Sequence, residues 1–416
     1  MNEAYSETEL KIIQLLNSDE EANVELGYQL SIGLDGNYSE RLANELCQKP
    51  FKCLEYGLEQ KYFVNLEELV CNNHQISDLP AKIAKLKKLR ILSLEDNNLT
   101  EFPAEVLSLT NLEELYLSKN NIQEIPAEIG QLQQLQILDL NSNKITDVPS
   151  QIGQLKKLLK LNLGSNELSN LPPEIGELGN LFNLDISRNQ ISALPHTIGQ
   201  LTELRVFTAE SNNIADLPAS IGQLAKLDEL KLGENSFCAF PKTVLSLNSL
   251  KRLYLANNKF TTFPLEKGDL PYLQKLDLTR NALTELPSTI GQLKQLVELH
   301  LEMNQLQRLP DEIGYLRELE QLFLQQNQLS KLPTSIAGLK SLQTLELYGN
   351  KLKEVPKEIG QLQSLEYLLI NNNELSNLPP EVGALKNLQT LYLSKNSLNA
   401  LPPFLGQLPL LRHLVI

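Results

Sequence analysis

The sequence has no tryptophan, and only four cysteines, four histidines and two methionines among 416 residues. Each scarcity closes a class of function. Cys47, Cys53, Cys71 and Cys238 form no CxxC pair and no Cys/His spacing suited to zinc, and four scattered thiols are not a disulfide framework. Cys47 and Cys53 are near enough in sequence to pair; reduced thiols are the expectation. His74, His196, His300 and His413 stand far apart, with no Ser/His/Asp set, HExxH, GxxxxGK[ST] or GxGxxG beside them. Neither catalysis nor a cofactor is expected. No apolar run approaches the roughly 18 residues of a membrane helix. The opening MNEAYSETEL lacks the basic and apolar parts of a secretory leader. A cytoplasmic location is expected, with non-classical export left open. Positive charge is also short, with 37 Lys and Arg against 51 Asp and Glu and a net charge of -14. That argues against nucleic acid and against an anionic membrane surface, which both need a basic footprint. The one basic cluster, Lys82, Lys85, Lys87, Lys88 and Arg90, reads as a solvated outer face.

What is abundant is leucine and asparagine, at a fixed period. An apolar residue precedes proline at Pro80, Pro103, Pro126 and on to Pro402, fifteen times, always 23 residues apart. Such a period marks a repeat architecture. Each unit reads LxxLxLxxNxLxxLPxxIgxLxx. Its first leucine occurs sixteen times, from Leu66 to Leu411. The second is replaced only at Phe207, and Ala209 two residues on keeps the core volume roughly constant. The xxLxLxx portion alternates with period two and predicts one short strand per unit. A coil returning to the same side makes these strands parallel, about 4.8 Å apart. The bulkier return segments put the sheet on the concave side.

Fourteen asparagines, Asn97 to Asn396, recur in the same place. A buried polar residue in every coil must be hydrogen-bonded, at a penalty of about 1–3 kcal/mol each if it is not. The expectation is a ladder bonding backbone groups of each coil and the next. His74 holds this place in the first unit and reads as a terminal substitution.

These residues closely resemble the leucine-rich repeat family, over residues 66–416. The 23-residue LPxxIGxL form is similar to Ras-scaffold and Scribble-type repeats and to many bacterial repeat proteins. The resemblance implies an α/β fold: a right-handed solenoid, horseshoe or superhelix, with a parallel concave sheet and a binding role. It is unlike the secreted receptor type, whose cysteine-rich caps are missing, and unlike bacterial ubiquitin-ligase effectors, whose repeats are shorter.

The ends differ from the middle. Residues 1–62 lack the repeat and predict helices starting at the capping boxes Ser6/Glu9 and Ser18/Glu21, with a third from near Tyr38 to Cys47. Their apolar positions include Leu10, Ile13, Val24, Leu26, Leu30 and Leu34. They read as an N-terminal cap, or as an effector or dimerisation module, beside a solenoid over 63–416. Near the other end, Leu411, Leu414 and Ile416 fall on core positions, so the sixteenth strand is expected either to fray or to self-associate.

Residues between the strand leucines face the concave side. The N-terminal half of this face is polar, with Tyr116, Asp139 and Asp185. Further along come Lys231, Tyr254, Asp277 and His300, then the apolar group Phe323, Tyr348, Tyr367, Leu369 and Tyr392. Aromatic residues on a rigid sheet are what binding hot spots are made of. The expected partner is a protein with a basic, partly apolar surface, and the module is a non-enzymatic scaffold. Glycan or surface-ligand binding, disfavoured by the acidic Trp-free surface, and a regulatory enzyme subunit are the alternatives. Glu298, His300 and Glu302 alternate on one strand. They suit a divalent metal, a pH-sensitive contact or, the preferred reading, a solvated charge cluster. Phe237, Phe240, Phe260 and Phe263 read as an interior spine, followed by a pattern break at Lys267.

Overall fold

The computed structural model describes residues 7–58, 63, 65–400 and 402–416. The chain forms two compact units, Met1–Leu168 and Ser169–Ile416. Among the described residues the first holds the helices α1 (Glu7–Leu16), α2 (Glu21–Ile32), α3 (Glu40–Cys47) and α4 (Pro50–Tyr56), and strands β1 (Glu68–Val70) to β5 (Lys160–Asn162). The second holds β6 (Asn183–Asp185) to β16 (His413–Val415). Within each unit neighbouring strands pair in parallel, and every residue lies opposite the one 23 positions on. Tyr116 thus faces Asp139 in the first unit, and His300 faces Phe323 in the second. Constant coil length holds this register. No helix among the described residues is long and apolar enough to cross a membrane.

Each strand is three residues long, and in most of them only the middle residue, such as Leu115 or Leu299, enters the core. The proline then begins the return. Its fixed φ and missing N–H suit the start of a helical turn. The Ile129 N–H bonds the Pro126 carbonyl at 3.0 Å, opening a one-turn 3-10 helix over Ala127–Gln131. The coil after Pro264 has no such turn. Lys267 stands where other coils bury Ile or Val and cannot anchor it. Gly268 (φ 98°) and Leu270 (φ 49°) reroute the chain so that Leu265 and Leu270 fill the core instead. The phenylalanines before it are buried as expected, with Phe240 against Phe260 and Phe263 at 5.8 and 5.1 Å between ring centres.

The asparagine ladder is present, but it points backwards. Asn120 Nδ2 donates to Leu117 O of its own coil (3.1 Å) and to Leu94 O of the preceding coil (2.9 Å). Its Oδ1 accepts the Leu99 N–H, also of the preceding coil, at 3.0 Å. The following coil is reached by the main chain instead, the Asn120 N–H donating to Ser142 O at 3.2 Å. The residue before each asparagine is left-handed (Lys119 φ 53°, Met303 φ 56°), which turns the amide inward. At the rerouted coil Asn281 keeps its donor bonds, while its Oδ1 is buried without a partner. His74 follows from the same geometry. With no coil behind it, its own N–H donates to Asn97 Oδ1 (3.0 Å) and its ring turns to Asn72 O.

The helical segment departs from expectation in three ways. Ser6 and the 62/63 boundary lie outside the described residues. Ser18 does not cap α2; its hydroxyl takes the Glu20 N–H and the Asn23 amide, and the helix starts two residues later. A fourth helix, α4, follows the three expected and is opened by Pro50, since the first turn needs no N–H there. The buried stripe of α2 is Val24, Gly27, Tyr28 and Ser31, leaving Leu26 and Leu30 exposed. The reason is Gly27, where a Cβ would sit 3.0 Å from Leu16 Cδ2, so α1 comes closest on that side. Tyr28 donates to Leu46 O (2.8 Å) and stacks on Tyr56, while α4 lies against the first 3-10 turn, Ala81–Lys85. No disulfide joins any of the four cysteines. At the other end β16 pairs in register with β15 (Thr390–Tyr392). It is formed rather than frayed, and Leu414 and Ile416 are exposed.

Candidate functional site

The face opposite the leucine core carries the candidate residues. In the first unit Tyr116 donates to Glu114 Oε2 at 2.7 Å. Burial pushes its phenol well above the ordinary value, and the Glu114 hydrogen bond adds to the shift. Asp139 Oδ1 accepts the Asn141 N–H at 2.9 Å, and Oδ2 takes the Asn162 amide at 3.0 Å. In the second unit Asp185 and Asp277 repeat the first of these bonds, to Ser187 N–H (2.8 Å) and Thr279 N–H (2.9 Å). A short acidic side chain bonding the amide two residues on is a turn device. The three aspartates therefore close their strands, which the charge pattern alone did not distinguish from ligand contacts.

Further along the second unit, Tyr254 lies between two ammonium groups. Lys231 Nζ and Lys275 Nζ sit 5.5 and 5.6 Å from its ring centre. Each is tied to a glutamate, Lys231 to Glu229 at 2.8 Å and Lys275 to Glu298. The Glu229 hydrogen bond, the leading cause, holds the Lys231 ammonium above the usual lysine value. Lys275 and Glu229 have no signal in the column pattern; only the register brings them to Tyr254.

The most unusual part is centred on β11 (Glu298–His300) and β12 (Gln321–Phe323). The His300 and Phe323 rings stack at 4.4 Å and 17°. Glu302 Oε1 is 3.4 Å from His300 Nδ1, and Glu298 Oε2 is 3.5 Å from Nε2. The group is not a solvated cluster: the His300 side chain is 19% exposed and that of Glu302 17%. In-register strands place Phe323 directly over His300, and the long glutamates fold back to it instead of diverging. Burial is the largest influence on His300 and depresses its pKa. The Glu302 hydrogen bond and the charges of Glu302 and Asp277 outweigh it, so the net shift is upward. Across Phe323, burial raises the Glu346 carboxyl, with Glu302 adding and His300 opposing. No group of three or more His, Cys, Asp or Glu among the described residues is placed to hold a metal ion.

Next come β13 (Thr344–Glu346), β14 (Tyr367–Leu369) and β15. Leu369 lies between Glu346 and Tyr392 in one row, and Tyr367 is 40% exposed beside it. His300, Phe323, Glu346, Leu369 and Tyr392 thus form one unbroken row in the second unit. Tyr348 and Gln325 stand in the adjacent row, with Glu302 before them. Gln325, which sequence reasoning missed, is 9% exposed, and its Oε1 is buried without a partner. Its place two residues beyond the strand centre was the available signal.

Repeating coils with in-register strands, asparagine ladder and proline-led turns define a leucine-rich repeat solenoid. The comparisons agree. The profile of the leucine-rich repeat region matches residues 114–169, 160–253 and 234–328, and a second leucine rich repeat profile matches 64–122 and 363–416. The chain belongs to the leucine-rich repeat family. No curated protein matches it. Among solved structures, a leucine-rich repeat protein of Leptospira interrogans is 36% identical, with TM-score 0.74, over 85% of this chain and 96% of that one. The plant peptide hormone receptor RGFR1, solved in complex with RGF2, is 32% identical, with TM-score 0.67, over 84% of this chain and 63% of its own. The ectodomain of the Arabidopsis thaliana receptor kinase GASSHO1/SCHENGEN3, in complex with CASPARIAN STRIP INTEGRITY FACTOR 2, is 30% identical, with TM-score 0.65, over 84% of this chain and 47% of its own. This chain therefore spans less than two thirds of either plant receptor chain.

Proposed function

We propose that the chain is a non-enzymatic protein-interaction module whose partner docks on the sheet face of the second unit, across β11 to β15. One observation carries the reading: Phe323, Tyr348, Tyr367, Leu369 and Tyr392 are gathered on adjoining in-register strands, beside the carboxylates of Glu302 and Glu346. Rigid strands present these side chains at little ordering cost, which is what a hot-spot patch requires. Two relatives of at least 30% identity were solved with RGF2 and CASPARIAN STRIP INTEGRITY FACTOR 2 bound. The acidic neighbours favour a basic, partly apolar partner surface. Four cysteines outside any disulfide suit a cytoplasmic scaffold. The helices α1–α4, of which α4 lies against the first coil, serve in this reading as a cap for 63–416.

The test is affinity capture from native lysate, comparing wild type with a variant carrying Phe323→Ala, Tyr348→Ala, Tyr367→Ala and Tyr392→Ala. These side chains lie outside the leucine core, so the urea midpoint is expected to change little. A protein held by wild type and reduced at least about tenfold by the variant is the expected result. Equal retention by both removes this face from consideration. A glycan array that lights up with wild type and no captured protein would replace the reading with carbohydrate binding.

A further inference from the structure

The row Glu302, Gln325, Tyr348, Asn371 crosses four consecutive coils at the edge of this face. Three of its four members end in a buried oxygen with no hydrogen-bond partner: Glu302 Oε2, Gln325 Oε1 and Asn371 Oδ1. All three are acceptors. Buried acceptors without donors are uncommon and unfavourable in a resting protein. The beginning of the row is also acidic. Glu302 stands directly beside Gln325 in the row and Glu346 lies diagonal to it, and the nearby cations Lys275 and His300 are already engaged by Glu298 and Glu302. What the site lacks is a donor with positive charge. Divalent metal is the poorer match, because no three ligands converge here among the described residues.

We propose that Glu302, Gln325 and Glu346 form a subsite for one arginine side chain of the partner, walled by the rings of Phe323 and Tyr348. A guanidinium carries five N–H donors in a plane and no acceptor, so it complements a site composed of acceptors. Its flat face stacks on aromatic rings, and it sheds water more readily than an ammonium. Glu302 and Gln325 end on rotatable bonds, so a turn of each side chain brings the enclosed oxygens onto the face. This inference deepens the protein-binding reading and rests on it, but its test uses no partner.

The site also answers to pH. His300 is faced by Glu298 and Glu302 on its own strand, by Lys275 and Asp277 on β10 (Lys275–Asp277), and by Phe323, with Glu346 beyond, on the other side. Its imidazolium form repels an incoming guanidinium, and protonated Glu346 attracts it less. Both pKa values are raised, so both groups shed their protons as pH rises from acid through neutral. Arginine affinity therefore climbs over that range, and a bound arginine lowers both pKa values in return.

The chain has only four histidines, so the His300 ring signals in an NMR spectrum are assigned by comparison with His300→Gln. Titration of wild-type protein with N-acetyl-arginine amide is expected to shift them saturably, with Kd on the order of 1 mM at neutral pH. N-acetyl-citrulline amide, the same shape without charge, is expected to bind at least about tenfold more weakly, and Glu302→Gln to weaken arginine by a similar factor. Affinity that falls as pH drops below the His300 pKa supports the site further. Equal response to citrulline, or no movement of the His300 signals, overturns the proposal; an equal response to N-acetyl-lysine amide overturns the choice of arginine. Arginine binding that persists while lysate capture fails indicts only the protein-binding reading, and the reverse indicts only the subsite.

Discussion

Asn304→Ala is expected to destabilise the second unit by about 3–5 kcal/mol. The side chain is 7% exposed and bonds its own coil and the preceding one. Its amide donates to Leu278 O (2.9 Å) and Leu301 O (3.0 Å), and its Oδ1 accepts the Leu283 N–H (3.0 Å). Alanine removes all of these and leaves the backbone groups in an apolar interior. The substitution therefore costs desolvation that no repacking recovers. A urea titration reads the loss, and hydrogen exchange at Leu283 reads its location. Asn281→Ala serves as the internal comparison, because Asn281 Oδ1 has no partner to lose. Its effect is expected to be smaller by roughly 1–2 kcal/mol. Equal losses at the two positions would show that the accepting half of the ladder contributes nothing.

A second large effect is expected on the opposite side of the coils. At Gly199 an added Cβ would lie 2.2 Å from Ser220 O and 2.8 Å from Ser220 C, so the backbone of the next coil must move. Gly199→Ala is expected to cost about 2–3 kcal/mol, read as a lower thermal midpoint. At Gly179 nothing lies within 4 Å of the same position, and Gly179→Ala is expected to be neutral. The sequence keeps to this limit in its own way. Ala337 occupies the place of Gly314 in the next coil, and Gly338 then follows, where a Cβ would be 2.1 Å from Gly314 O. The need for a bare backbone has moved one residue along instead of vanishing. It is local to the glycine coils, since Leu107 and Leu245 hold this place in two others.

The fold was legible because every position is restated sixteen times. Leu66 to Leu411 announce the strand, and the prolines announce the return. Lys267 was a visible fault because fourteen other coils supply the standard. The direction of the asparagine bonds was not visible, since a residue able to bond either neighbour leaves the choice to the left-handed residue before it. The helices at residues 7–56 were harder, being stated once. Gly27 admits α1 closely, and that single contact turned Leu26 and Leu30 outward. On the binding face, period two identified which residues point out, including His300, Phe323 and Tyr392. It did not say that Asp139, Asp185 and Asp277 would spend a carboxylate oxygen on their own turns. Nor did it show that glutamates two residues from His300 would fold back to it. Those outcomes depend on rotamers of long or flexible side chains, which no periodicity records.

The backward-pointing ladder has a consequence for how the protein is made. An asparagine such as Asn327 seeks Leu301 O and the Leu306 N–H, both earlier in the chain. When it leaves the ribosome, its partners have already been synthesised. Translation delivers a 23-residue coil in a few seconds, at about 5–20 residues per second, so the asparagine side chain arrives beside finished partners, whereas main-chain amides such as the Gln326 N–H, which bonds Tyr348 O, wait for the next coil. Growth in that order keeps only one raw edge exposed at a time. A chain built the other way round, from its C-terminal coils first, would leave every newly added asparagine side chain waiting for preceding-coil groups that do not yet exist.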